Sequence, residues 1–99
     1  MKVMMIQYKV KPEAVAENEE ALKKVFVAIE KEKPQGVRYA SCKQADGVSF
    51  MALVQLADGA TPLNEKEYFK EFQAGLMPRL AEQPVQEELQ VVGSYNFFE

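Results

Sequence analysis

The sequence predicts an α+β fold in the order βαββαβ, with a four-stranded antiparallel sheet carrying both helices on one face. Three observations point there. Residues 37–56 alternate as two strands about Asp46-Gly47, the dipeptide that supplies a two-residue hairpin turn. Residues 12–31 and 64–80 each repeat apolar side chains at helical spacing. The two ends, residues 2–10 and 88–98, alternate with the period of strands. Strand, helix, strand, strand, helix, strand is the split βαβ, or ferredoxin-like, order, and right-handed crossovers make its first and third strands central.

In the first strand Met4, Ile6, Tyr8 and Val10 share one face, and Val3, Met5, Gln7 and Lys9 the other. Lys11-Pro12-Glu13 ends it, because proline cannot donate to a ladder but suits the first turn of a helix, where Glu13 complements the positive end of the dipole. Val15, Leu22, Val25, Phe26 and Ile29 then mark the inner face of an amphipathic helix, and Glu17, Glu19, Glu20, Lys23, Lys24 and Glu30 fill its outer face. That helix ends before Pro34, and Gln35-Gly36 turns the chain. A two-residue turn in the hairpin sets Gln44 against Ser49, Cys42 against Met51, Ala40 against Leu53 and Arg38 against Gln55. Ser41, Tyr39 and Val37 then oppose Ala52, Val54 and Leu56.

After a turn-rich connection, Asn64 and Glu67 have the spacing of a capping box for the second helix. Phe69, Phe72, Leu76 and Leu80 form its buried stripe, with Tyr68 and Met77 on the flanks. Gly75 and Pro78 predict a bend or break there, which either turns the chain over the sheet or opens the end of a cavity. Pro84 closes the segment. In the last strand Leu89, Val91, Gly93, Tyr95 and Phe97 share a face, and mid-strand Gly93 suggests a bulge or a close backbone approach.

The 99 residues make one domain, 1–99, of a size that buries only about 60–68 % of its unfolded surface. Both faces of the hairpin are apolar and two helices can cover only one, so a second copy is expected to shield the other in a two-fold homodimer. A net charge of -3 leaves no basic footprint for nucleic acid or anionic lipid. No apolar run has the length of a membrane span, and Met1 to Val10, which lacks a small-residue cleavage site, reads as a strand and not a leader. The lone Cys42 cannot form an internal disulfide, which fits a cytoplasmic protein, and at mid-strand it is expected to be a small buried residue. There is no histidine, which removes the commonest general base and the commonest zinc and haem ligand; no metal and no other cofactor is expected.

With the elements placed, the chain resembles the dimeric α+β barrel proteins, and among them the antibiotic biosynthesis monooxygenase-like group. The resemblance rests on Val10-Lys11-Pro12-Glu13 closing the first strand, a long charged first helix, Gly36-Val37-Arg38-Tyr39, Asp46-Gly47-Val48-Ser49-Phe50, and the aromatic run Glu67-Tyr68-Phe69-Lys70-Glu71-Phe72. It implies a small hydrophobic pocket in each protomer between helices and sheet. Some relatives use this pocket for cofactor-free oxygenation of aromatic polyketides, others for haem degradation or isomerisation. Where many relatives carry histidine or tryptophan on the second helix, this chain has Tyr68, Phe69 and Gln73. No catalytic residue is transferred from the resemblance.

Tyr8, Tyr39, Phe50, Tyr68, Phe72 and Tyr95 are the candidates to line such a pocket, since aromatics give contact area and tyrosine adds a polar handle; packing alone also explains them. Asn96 and Gln7 are the amides expected near the sheet, either orienting a ligand oxygen or making ordinary strand-edge hydrogen bonds. Arg38 and Arg79 are either anion contacts or solvated surface groups. The sequence contains no nucleophile elbow, phosphate loop or zinc signature. Three functions stay open: a monooxygenase-like enzyme that ionises an electron-rich aromatic substrate, a non-catalytic dimer that holds a small aromatic molecule, and a purely structural dimer.

Overall fold

A computed structural model describes residues 1–98. Its elements are β1 (Lys2–Lys9), α1 (Val15–Glu32), β2 (Val37–Lys43), β3 (Ser49–Leu56), α2 (Glu67–Leu76) and β4 (Val85–Leu89), with single 3-10 turns at Pro12–Ala14, Leu63–Glu65 and Met77–Arg79. The strands form one antiparallel sheet in the order β2-β3-β1-β4, so the first and third strands are central as the crossover rule requires. The fold is ferredoxin-like α+β.

The hairpin register agrees residue for residue with the sequence expectation, from Val37 opposite Leu56 to Cys42 opposite Met51. Its turn differs. The amide of Gly47 donates to the carbonyl of Gln44, and only Gly47 takes a positive φ, so the loop spans four residues and is not a two-residue Asp-Gly turn. The Asp46 carboxylate closes it by accepting from the amides of Val48 and Ser49 and from the Ser49 hydroxyl, and these bonds hold its pKa below the usual carboxylate value. Lengthening a loop by two residues preserves which side chains share a face, and so the register survived the wrong turn type.

Tyr8, Val10, Phe50 and Val54 on one face of the sheet pack with Leu22 and Val25 of α1 and Phe69 and Phe72 of α2 to form the core. Three adjustments follow from local chemistry. The Asn64–Glu67 capping box is not formed: Asn64 lies in a 3-10 turn, and Lys66 precedes α2 without a side-chain cap. Helix α2 stops at Leu76 and tightens into the Met77–Arg79 turn, the break that Gly75 and Pro78 predicted. At the end of α1, Lys33 adopts a left-handed conformation, and Gly36 follows at φ +75 beneath Ala60 and Ala57, whose Cβ atoms would lie 3.0 and 3.1 Å from any Cβ placed there.

The last strand is corrected most. It runs over Val85–Leu89, not 88–98, with Leu89 paired to Val3. Continuing the register would set Gln90 against Lys2, the first residue of β1, and carry residues after Val91 beyond the start of the chain's first strand. Val92, Tyr95 and Phe97 are therefore exposed, and Gly93 sits in open space with neither a bulge nor a close approach. Cys42 is also corrected: it is exposed, because it points from edge strand β2 to the face that carries no helix. On that face lie Met5, Met51 and Leu53, partly buried, with Ala40 exposed and Val3 shielded.

Candidate functional site

Between α2 and the helix-bearing face of the sheet lies a partly open cleft of about 660 Å³. Met4, Ile6 and Tyr8 of β1, Tyr39 of β2, and Val54 and Leu56 of β3 form its floor. Phe69, Phe72, Gln73, Ala74 and Leu76 of α2 form one wall, and Leu63, Met77 and Leu80 close the ends. The floor exists because even-numbered residues of β1 and β3 share a face; the wall exists because α2 repeats its aromatics at helical spacing. The turn that follows the break after Leu76 brings Met77, with Leu80 just beyond it, to the lining of the cleft.

Three of the sequence candidates meet here: Tyr8, Tyr39 and Phe72 line the cleft. Phe50 stands behind Tyr8, stacked at 5.4 Å between ring centroids and closed off from solvent, so it supports the site without facing it. Tyr68 points elsewhere. Its hydroxyl donates to Glu32 Oε1 at 2.8 Å, and Lys66 Nζ lies 3.3 Å from the same oxygen, an arrangement that ties α2 to α1. Burial, then the bond to Glu32 and its charge, push the Tyr68 phenol up to about 12. Tyr95 and Asn96 lie outside the cleft in the segment after β4, Tyr95 at 84 % exposure and Asn96 with a left-handed backbone. Gln7 is on the opposite face of the sheet, where its Nε2 donates to Gln44 Oε1 at 3.2 Å, and Arg38 is exposed on β2.

The polar centre of the site is one that pattern reading passed over. Asn18 occupies the inner stripe of α1 between Val15 and Leu22 and is fully buried. Its Nδ2 donates to the Tyr8 hydroxyl at 3.0 Å, and its Oδ1 accepts from Arg79 Nε at 3.3 Å. Arg79, read from sequence as either an anion contact or a surface group, is only 7 % exposed, with its guanidinium 5.6 Å from the centre of the Phe72 ring. The missing Cβ of Gly75 makes the room, for one placed there would lie 3.2 Å from Arg79 Nη1. The available signal was a polar residue at a stripe position of α1, combined with a glycine near the end of α2 four residues before an arginine in the turn that follows it.

Electrostatically the cleft is one-sided. Among the described residues lining it there is no carboxylate, and Lys2 is its one charged side chain. Burial raises the pKa of Tyr8, opposed by the Asn18 hydrogen bond and the Arg79 charge; burial likewise raises that of Tyr39, reinforced by Tyr8. Both phenols are therefore neutral donors at neutral pH. Among the described residues no group of His, Cys, Asp and Glu side chains could hold a metal ion, and no helix is long and apolar enough to cross a membrane.

Comparison with solved structures gives this architecture a context. SnoaB, a cofactor-independent oxygenase from Streptomyces nogalater, superposes with a TM-score of 0.68 at 13 % identity, covering 96 % of this chain and 96 % of its own. A proposed antibiotic biosynthesis monooxygenase from Caulobacter crescentus gives 0.74 at 24 % identity over 93 % of this chain and 90 % of its own. The chain has the fold of the antibiotic biosynthesis monooxygenases. A conserved protein from Methanosarcina mazei has it too, with a TM-score of 0.72 at 18 % identity over 91 % of this chain and 92 % of its own. At such identities the likeness is one of fold and carries no substrate with it. No protein-family model and no curated protein matches the sequence.

Proposed function

We propose that this chain is a monooxygenase-like protein that takes a small aromatic or apolar metabolite into the cleft and works without a cofactor. The observation that carries the reading is an apolar cleft of about 660 Å³ lined by Tyr8, whose hydroxyl accepts a hydrogen bond from a fully buried asparagine. The chemistry suited to such a site is oxygenation of an activated aromatic methylene. The substrate loses a proton to form an enolate, the anion delivers electrons to dioxygen as a carbon–oxygen bond forms, and loss of water leaves a carbonyl. One oxygen atom is retained and the other leaves in the water.

The chain's own residues supply binding and charge stabilisation: the walls exclude water, and Tyr8 offers a hydrogen bond to the developing oxyanion. The functional unit is proposed to be a homodimer in which a second copy covers the sheet face bearing Met5, Met51 and Leu53. Oxygen uptake with a panel of quinols and anthrone-like phenols tests the enzyme. Uptake that depends on protein supports it. Thermal stabilisation by the same compounds with no uptake would instead establish the second reading, a binding protein, which the lack of histidine in the sequence and of a carboxylate among the described residues lining the cleft favours.

A further inference from the structure

The cleft is long, and its two ends differ in chemistry. Along its floor Lys2, Met4, Ile6 and Tyr8 follow one another on the helix-bearing face of β1, so Lys2 and Tyr8 stand about 20 Å apart at about 3.3 Å per residue. Helix α2 crosses this floor from the Lys2 end, where β3 finishes at Leu56 opposite Lys2, to the Tyr8 end, where Leu80 bridges to Val10. At the Tyr8 end α2 and the turn after it contribute only apolar groups, Leu76, Met77 and Leu80. Lys2 and Asn64, the latter in the turn between β3 and α2, line the other end, and among the described residues neither the ammonium nor the amide has a hydrogen-bond or ion-pair partner. The other cations at this end are taken: the Met1 ammonium lies 2.8 Å from Asp58 and Lys66 lies 3.3 Å from Glu32. Glu88 of β4, opposite Met4, is exposed, makes no ion pair with Lys2 and does not line the cleft. The volume of about 660 Å³ is several times the about 150 Å³ that holds a benzene, so a single ring would leave most of the cleft unfilled.

We propose that the cleft takes an elongated aromatic acid, with its aryl group at the Tyr8 end, an apolar spacer along Ile6 and Met4, and a carboxylate at the Lys2 end that accepts hydrogen bonds from the Lys2 ammonium and the Asn64 amide. The proposal rests on the aromatic-binding reading of the cleft and adds the length, the orientation and the charged group of its occupant. Lys2 is thereby a specificity residue at the rim, remote from the end where Tyr8 stands. A carboxylate placed there stays partly in water, so it escapes the desolvation cost of a buried ion and gains a modest, salt-screened attraction.

A ligand series tests this. ω-Phenylalkanoic acids of increasing chain length and the matching primary alcohols are titrated calorimetrically into the protein at about pH 7, where the acids are ionised, and below their micelle concentrations. Short acids and alcohols should bind alike. Once the chain is long enough to reach Lys2, the acid should bind about threefold to fivefold more tightly than the alcohol, an advantage that shrinks in high salt. Lys2→Gln should remove the advantage without changing alcohol affinity, and Lys2→Glu should reverse it. Arg38→Gln, which removes the same charge from the opposite face of the sheet, should leave it intact. Lys2 is exposed, so neither substitution there threatens the fold. Alcohols that bind while acids show no advantage at any length, or an advantage that survives Lys2→Gln, would overturn the proposal and leave the cleft standing. Failure of every probe to bind would overturn the aromatic-binding reading and the proposal together.

Discussion

Asn18 is the residue on which both stability and chemistry turn. Fully buried, it satisfies Tyr8 and Arg79 at once, so Asn18→Ala strands two buried polar groups. Urea unfolding should show a loss of about 1–3 kcal/mol, and a loss below about 0.5 kcal/mol would show the network to be idle. Tyr39 gives a pH-dependent counterpart. Its pKa is raised, chiefly by burial, so the folded state favours the neutral phenol. That contribution is fully present below the unfolded tyrosine value of about 10 and is lost as pH rises through the higher folded value. Unfolding followed above pH ~10 should therefore show stability falling in the wild type and falling less in Tyr39→Phe; parallel curves would contradict it. Only part of this was legible at residue level. Tyr8, Tyr39 and Phe72 announced themselves as large aromatics, but Asn18 looks like any polar residue on a charged helix until the helix is laid against β1.

At the scale of elements, glycines separate what local sequence decides from what pairing decides. Gly36 joins α1 to β2 with a positive φ and two alanine Cβ atoms close above it, so Gly36→Ala meets both backbone strain and a steric clash. It should cost about 1–3 kcal/mol in chemical denaturation. Gly93, in open space with an ordinary φ, should tolerate alanine within about 0.5 kcal/mol. Equal effects at the two sites would mean that the segment after β4 is placed differently from the structure. The hairpin register was legible because parity is set by apolar alternation, whatever the turn does. The end of β4 was not, because alternation from Leu89 to Phe97 is indistinguishable from a strand, whereas β1 offers no partner to residues beyond Val91. Tyr95 and Asn96 left the candidate site for that reason.

For the whole molecule, the order of elements was enough to specify the fold, since few topologies satisfy short, right-handed connections. Assembly is the further step that surplus apolar strand surface implies. Leu53→Lys, placed on the helix-free face beside Met5 and Ala40, should convert the proposed dimer to monomer in sedimentation velocity without changing the far-ultraviolet spectrum. A wild type that sediments as a monomer at micromolar concentration would remove the dimer from the proposal. The cleft is the central claim, and it can be tested independently of turnover or assembly. Ala74 is exposed on the wall of the cleft, so Ala74→Trp should fill it with little strain on the core. Calorimetric titration of a naphthol into both proteins should give saturable binding to the wild type, weakened by at least about tenfold in Ala74→Trp. Equal binding to the two, or none to the wild type, would contradict a ligand site between α2 and the sheet.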